Sequence, residues 1–178
     1  EYIMRYLISS FFAAMVVFGS VSAWANTSSK EAHMLMELKS GTVKIALRDD
    51  LAPNHVERIK QLISEKLYDG IIFHRVIDGF MAQTGDPTGT GMGGSDYPDL
   101  RAEFSGEPFR RGTLGMARSQ HPDSANSQFF ICFQDASWLN GQYTVFGEVV
   151  EGMEHIDAIT RGEPPAEPDQ IISLTLDD

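Results

Sequence analysis

Cysteine and positive charge are both scarce in these 178 residues, and each shortage removes a class of explanation. The single cysteine, Cys132, rules out an internal disulfide. It sits in the apolar run Phe129-Phe130-Ile131-Cys132-Phe133, the setting of a small buried hydrophobe rather than of a nucleophile. Lys and Arg number 14 against 25 Asp and Glu, a formal net charge of -11, and no basic stripe is present to hold a phosphate backbone. Nucleic acid is not expected as a partner. The five histidines (His33, His55, His74, His121 and His155) are scattered without the paired spacing of metal ligands. No serine stands in a G-x-S-x-G elbow. Neither a metal site nor a hydrolase nucleophile is expected.

One motif misleads. Residues 89–94 (GTGMGG) match G-x-G-x-x-G, which binds dinucleotides only when a strand precedes it and a helix follows. Here Gly85-Asp86-Pro87 lies upstream and Ser95-Asp96-Tyr97-Pro98 follows, so no helix starts there and no nucleotide cofactor is implied.

The N-terminal residues read as an address rather than as fold. Residues 4–25 (MRYLISSFFAAMVVFGSVSAWA) place Arg5 ahead of an uncharged, mostly apolar stretch that ends in Ala23-Trp24-Ala25. That is the layout of a secretory signal peptide with cleavage between Ala25 and Asn26. The other reading is a single membrane anchor, since residues 6–25 are about long enough to span a bilayer. Glu1-Tyr2-Ile3, ahead of Met4, read as an upstream remnant outside the leader. Residues 26–33 are polar and expected to be a flexible mature terminus. Glu1 and Arg5 cancel, so loss of residues 1–25 leaves the net charge unchanged. Export without a disulfide suits a bacterial periplasm.

From residue 34 to the C-terminus the chain reads as one domain dominated by short strands. Residues 34–38 and 42–47 alternate around Ser40-Gly41, a hairpin signal. Residues 53–68 carry Val56, Ile59, Leu62, Ile63 and Leu67 at helical spacing behind Pro53. Strands are expected at 71–76, 80–83, 113–117, 129–133, 144–150 and 171–176, and a short helix at 152–160. The Gly-, Pro- and Asp-rich segment 84–98 and the Pro-rich segment 162–168 are loops. Many short strands with one early and one late helix suit a barrel with helices over its ends. Pattern alone leaves a sandwich equally open.

Three stretches combine arginine, glutamine and large apolar residues: 73–86 (FHRVIDGFMAQTGD), 115–131, ending SQFFI, and 138–147 (WLNGQYTVFG). By residue type alone, Arg75 is either a packed stem with its head in water or a guanidinium on a pocket wall near Gln83.

Together and in this order, the three stretches resemble the cyclophilin family of prolyl isomerases. The first resembles its F-H-R-x-x-x-x-F-M-x-Q-x-G-D signature, and the other two its later core motifs. The resemblance spans residues 34–178. It implies a mainly β fold, a closed eight-stranded antiparallel β-barrel capped by two α-helices, with an active groove on the outer surface. Carried over residue by residue, it implies Arg75 as the catalytic arginine. Phe80, Met81, Phe130 and Leu139 would line a proline pocket, with Gln83 and Gln128 as polar contacts and Trp138 at the rim. Ala117 and Arg118 would hold a peptide mainly through backbone. Tyr143, a further groove residue, stands where many eukaryotic members have histidine and is similar to bacterial members. Arg118 replaces a frequent asparagine, Asp78 a frequent proline and Thr84 a frequent glycine.

The resemblance implies a cofactor-free peptidyl-prolyl cis/trans isomerase acting on proline-containing polypeptides. The leader makes assistance to folding in the periplasm the expected role, and with no repeating apolar seam a monomer is expected. Stable membrane association is not expected once the leader is cleaved. Through Trp138 the resemblance also implies a cyclosporin-type ligand. Two alternatives stay open: a proline-peptide-binding chaperone module with little turnover, and a purely structural barrel indifferent to proline.

Overall fold

The computed structural model describes residues 32–177. The leader and nearly all of the expected flexible terminus lie outside the described residues. His33, assigned to that terminus, begins the first strand.

Eight antiparallel strands form a single sheet: β1 (His33–Leu38), β2 (Gly41–Leu47), β3 (Arg75–Ile77), β4 (Met81–Thr84), β5 (Thr113–Met116), β6 (Phe129–Cys132), β7 (Val145–Glu151) and β8 (Ser173–Asp177). Their order across the sheet is β3-β4-β6-β5-β7-β2-β1-β8. In β1, Met34, Met36 and Leu38 point into the core while Glu37 faces solvent, which is the strand period of two at work. The hairpin turn ends at Gly41, where φ is +147° and a Cβ would stand 2.4 Å from the His155 ring.

The expected closed barrel is corrected to an open, curled sheet. No ladder joins its edge strands β3 and β8. The seam is spanned by single backbone hydrogen bonds: Gly70 N–H to Ile171 C=O (2.7 Å), Ile171 N–H to Ile71 C=O (2.9 Å) and Phe73 N–H to Asp169 C=O (2.9 Å). These consume the backbone of residues 71–73, so the strand expected at 71–76 enters the sheet only at Arg75. Further along β3, Val76 and Gly162 exchange both their hydrogen bonds at 2.8 Å.

Helix α1 (Pro53–Ser64) buries Val56, Ile59, Leu62 and Ile63 on one face. It is shorter than the expected 53–68. Lys66 adopts a left-handed φ of 57°. Leu67 N–H then reaches back to Leu62 C=O and Lys66 N–H to Ile63 C=O, the paired bonds that satisfy a helix end. The chain is thereby redirected, and Tyr68 enters the core to donate its hydroxyl to Ser127 C=O at 2.9 Å. Helix α2 (Met153–Asp157) is likewise shorter than the expected 152–160.

The N-terminus of α1 has no side-chain cap of its own. Glu103, on a distant loop, supplies one. Its Oε1 accepts from Asn54 N–H (3.2 Å) and Asn54 Nδ2 (2.7 Å), its Oε2 from His55 N–H (3.1 Å), and His55 Nδ1 lies 2.6 Å from Oε2. A carboxylate here satisfies orphan amides and faces the positive end of the helix dipole. Burial pushes the His55 pKa down more strongly than Glu103 pulls it up. Burial also pushes Glu103 upward, but the donors from His55 and Asn54 outweigh it and leave Glu103 below its usual range. The pair is therefore read as a neutral imidazole donating from Nδ1 to a carboxylate.

Two apolar clusters share the sheet. The larger lies inside the curl and includes Met34, Met36, Ile45, Ile59, Phe73, Leu114, Phe129, Ile131 and Phe146. The smaller lies on the opposite face of β4–β6 and includes Met81, Phe109, Phe130, Cys132, Leu139 and Val145.

Both pKa shifts act in one direction with pH. The unfolded chain protonates His55 near 6.5 while the folded chain resists, so stability falls as pH drops below about 6.5. Buried His74 adds to this. Glu103 contributes stability present above its unfolded value near 4.5 and lost below it. The thermal midpoint is expected to decline from pH 7 to pH 5 and more steeply below pH 4.5, with a smaller slope above pH 5 in His55→Asn. A midpoint that stays flat across this window contradicts the assignment.

Candidate active site

The smaller cluster forms the floor of a groove of about 700 Å³ on the outer face of the sheet. Register explains its layout. Arg75 on β3 lies opposite Gln83 on β4, Gln83 opposite Phe130 on β6, and Phe130 opposite Gly115 on β5. One row across four strands thus runs from a guanidinium through an amide to an aromatic ring and then to a residue without a side chain. The vacancy at Gly115 is what the rings occupy. A Cβ there would stand 2.4 Å from Phe130 Cζ and 2.6 Å from Phe109 Cε1. Phe130 stacks on Phe109 with centroids 5.7 Å apart and meets the edge of Tyr143 at 5.8 Å.

Met81 and Leu139 are buried beside Phe130, and Phe80 is partly covered. Leu139 comes from a single 3-10 turn (Ser137–Leu139) that local pattern did not signal. The same turn raises Trp138 to the rim, 57% exposed, with its ring 5.4 Å from that of Phe80. The Arg118 guanidinium lies 4.4 Å above the Tyr143 ring and donates to Gln142 C=O at 2.7 Å. Ala117 N–H is engaged by Gln128 C=O at 3.0 Å.

The polar margin is a connected network. Gln83 Nε2 donates to Gln128 Oε1 (2.9 Å), and Gln128 Nε2 donates to the carbonyls of Gly91 (3.1 Å) and Gly93 (2.8 Å). Those carbonyls belong to the Gly-rich loop that imitates a dinucleotide fingerprint. Asp86 organises it, accepting from Thr88 N–H and Oγ1 (both 2.8 Å), Gly91 N–H (2.6 Å) and Gly93 N–H (3.1 Å). Burial pushes the Asp86 carboxyl up, but these donors outweigh it and hold its pKa at about 2. Nothing in this loop opens a helix, and its Thr88, Gly91 and Gly93 amides turn inward to Asp86 rather than outward to a phosphate.

Ten residues singled out from sequence line this one groove: Arg75, Phe80, Met81, Gln83, Ala117, Arg118, Phe130, Trp138, Leu139 and Tyr143. Gln128 stands just beyond it, lining an adjoining hollow of about 450 Å³ and bonded to Gln83. Sequence reasoning missed four contributors: His74, the glycine loop at 89–91, Glu163 and Pro164. His74 is buried, its pKa pushed down by that burial, and neither ring nitrogen has a hydrogen-bond partner among the described residues. Glu163 and Pro164 come from the segment read only as a loop, which the Val76–Gly162 bridge brings to the groove.

Cys132 is buried in the floor and its thiol is pushed up to about 12 by that burial, so it offers no thiolate. Among the described residues no cluster of His, Cys, Asp or Glu has the arrangement of a metal site. What remains is a cation and amides beside a rigid apolar pocket, equipment for gripping and polarising a neutral group.

The chain is similar to known proteins over almost all of its described residues. A family model described as cyclophilin type peptidyl-prolyl cis-trans isomerase/CLD matches residues 33–176. A probable peptidyl-prolyl cis-trans isomerase of Brucella suis biovar 1 (strain 1330) is 50% identical over 98% of both chains. Peptidyl-prolyl cis-trans isomerase-like 2 of Cryptococcus neoformans is 40% identical over 74% of this chain, which matches 24% of that longer protein. A solved cyclophilin from Hirschia baltica superposes with a TM-score of 0.74 at 28% identity, covering 80% of this chain and 73% of its own. A Cryptosporidium parvum cyclophilin type isomerase, solved in the presence of the dipeptide Ala-Pro, gives 0.77 at 31% identity, covering 82% and 99%.

The network makes a structural prediction. Asp86→Asn keeps the shape but removes the charge that the loop's donors address, and should cost about 1–3 kcal/mol of stability. Hydrogen exchange at the Gly91 and Gly93 amides should accelerate relative to the rest of the chain. Unchanged exchange at both would show that the loop is held by other contacts.

Proposed function

The chain belongs to the cyclophilin-type peptidyl-prolyl cis-trans isomerase family, and on that premise we propose that it turns Xaa-Pro bonds in exported polypeptides, with Arg75 as the group that stabilises the twisted amide. The observation that carries this reading is the cross-strand row in which Arg75 and Gln83 stand directly beside the Phe130 pocket.

An Xaa-Pro amide resists rotation because it is conjugated, with a barrier of roughly 20 kcal/mol. Twisting breaks the conjugation and leaves a lone pair on the prolyl nitrogen. A donor aimed at that lone pair binds the twisted state more strongly than the planar one, and only such differential binding accelerates the reaction. In this reading the proline ring packs on Phe130, Met81, Leu139 and Phe80. Arg75 then meets the nitrogen from the adjoining strand. Gln83, held in orientation by Gln128, and the backbone around Ala117 and Arg118 hold the flanking residues. No covalent bond is made or broken. Each ~1.4 kcal/mol of selective stabilisation gives about tenfold in rate.

The leader-like residues 4–25 support a periplasmic site of action, where slow proline isomerisation limits folding of exported chains. Among the described residues no helix is long and apolar enough to cross a membrane. We read the mature protein as a monomer. Trp138, exposed beside Phe80, gives a cyclosporin-type macrocycle an indole edge to meet, with Tyr143 further along the groove.

Purified residues 26–178 should accelerate cis/trans exchange of a short Xaa-Pro peptide, and Arg75→Ala should lose at least about tenfold in kcat/KM, near ~1.4 kcal/mol of barrier, while remaining folded. Trp138 is the one tryptophan outside the leader, so its fluorescence reports peptide binding independently of turnover. An Arg75→Ala variant that binds and turns over peptide like the wild type would falsify the assignment of Arg75. When the whole chain is expressed in a Gram-negative host, it should be recovered from the periplasm beginning at Asn26. An intact N-terminus in the membrane fraction would identify residues 6–25 as an anchor instead.

A further inference from the structure

Arg75 is met from outside its own strands by one side chain. Its Nε donates to Glu163 Oε2 at 2.8 Å, and among the described residues the guanidinium makes no other hydrogen bond. Glu163 is also the one acidic side chain among the residues lining the groove. Both groups are about half exposed, so the pair adds little to stability. A contact that contributes little to holding the fold, yet grips the group aimed at the reacting bond, points to orientation.

The segment that carries Glu163 is anchored on both sides. Ahead of it, Gly162 exchanges two backbone hydrogen bonds with Val76, the immediate neighbour of Arg75, both at 2.8 Å. This sets Glu163 alongside Arg75. Gly162 has φ +151° and a Cβ there would stand 2.4 Å from Pro165 Cα, so the turn back toward the groove requires glycine. Arg161 lies 4.1 Å above the Phe133 ring and donates to the Asp157 carbonyl at 2.7 Å and to Asp78 Oδ1 at 3.2 Å. Behind Glu163, Pro165 is buried.

We propose that Glu163 is a positioning residue for Arg75: by engaging Nε it fixes the rotation of the guanidinium and leaves both Nη groups directed at the prolyl nitrogen. The proposal rests on Arg75 acting as the donor. Catalytic donors misplaced by a fraction of an ångström lose much of their effect. Freed of Glu163, Arg75 samples several rotamers and presents its donors for only part of the time.

The test compares Glu163→Ala and Glu163→Gln with wild type and Arg75→Ala, using an uncharged Xaa-Pro peptide. Glu163→Ala is expected to lower kcat by about fivefold with KM and thermal midpoint little changed. Glu163→Gln, which keeps an acceptor, should stay within about twofold of wild type. The nitrogen-15 resonance of Arg75 Nε–H should be shifted and protected from exchange in the wild type, revert toward free arginine in Glu163→Ala and be kept in Glu163→Gln. An unchanged or raised kcat in Glu163→Ala overturns the proposal. So does an equal effect of both variants confined to KM, which would mark Glu163 as a charge that selects peptides. Full activity in Arg75→Ala would overturn the Arg75 assignment itself and this inference with it, whereas a dead Arg75→Ala beside a normal Glu163→Ala overturns the inference alone.

Discussion

Phe129 and Phe130 are neighbours in the chain and belong to different cores, and the rest of the structure depends on that division. Phe129 faces into the curl, its ring 5.5 Å from Tyr68 and 5.8 Å from Phe146. Phe130 faces out, onto Phe109 and into the groove. Strand β6 is therefore buried on both faces. It also sits between β4 and β5, and so transmits the packing of the main core directly to the floor of the site. A pocket wall built on a central strand with a packed layer behind it does not yield when a ligand presses on it. That rigidity is what a catalyst working by selective stabilisation of a short-lived geometry requires.

The polar side of the groove is stiff for a different reason. Gln83 is turned by Gln128, Gln128 by two glycine carbonyls, and those glycines by Asp86. Each group satisfies the next, so an amide that would otherwise rotate freely has one orientation. The glycines serve because their amides must converge on one carboxylate. A Cβ on Gly93 would stand 2.2 Å from Asp86 Oδ1. The result is a groove with an apolar, packed half and a hydrogen-bonded half, and Arg75 lies where they meet.

Much of this was legible locally. Alternation in residues 34–38, helical spacing in 53–64 and the apolar run at 129–132 each encode their element, because burial on one face, one stripe or both faces leaves its own period. The three motif stretches led to the groove residues through resemblance. By residue type alone Arg75 is ambiguous, since the same residues describe a snorkelling side chain. Helical spacing runs on to Leu67 although the first helix ends at Ser64, where Lys66 turns the chain left-handed, and the strand pattern does not distinguish a closed barrel from an open curl. Closure depends on whether residues 71–73 pair as a ladder or meet 169–171 through scattered bonds, and the pattern of side chains carries no record of that choice.

By itself the sequence determined the strand-dominated class, the early helix, the family and ten of the residues that gather in the groove, because these follow from short-range periodicity and from local motifs. Only the tertiary structure decided that Arg75, Gln83, Phe130 and Gly115 form one row, that a distant Glu103 caps the first helix, and that Glu163 reaches Arg75 across 88 positions of chain. Those relations are products of register and of loop return. Both are set by the collective packing of the two cores, to which no single stretch of residues holds the key.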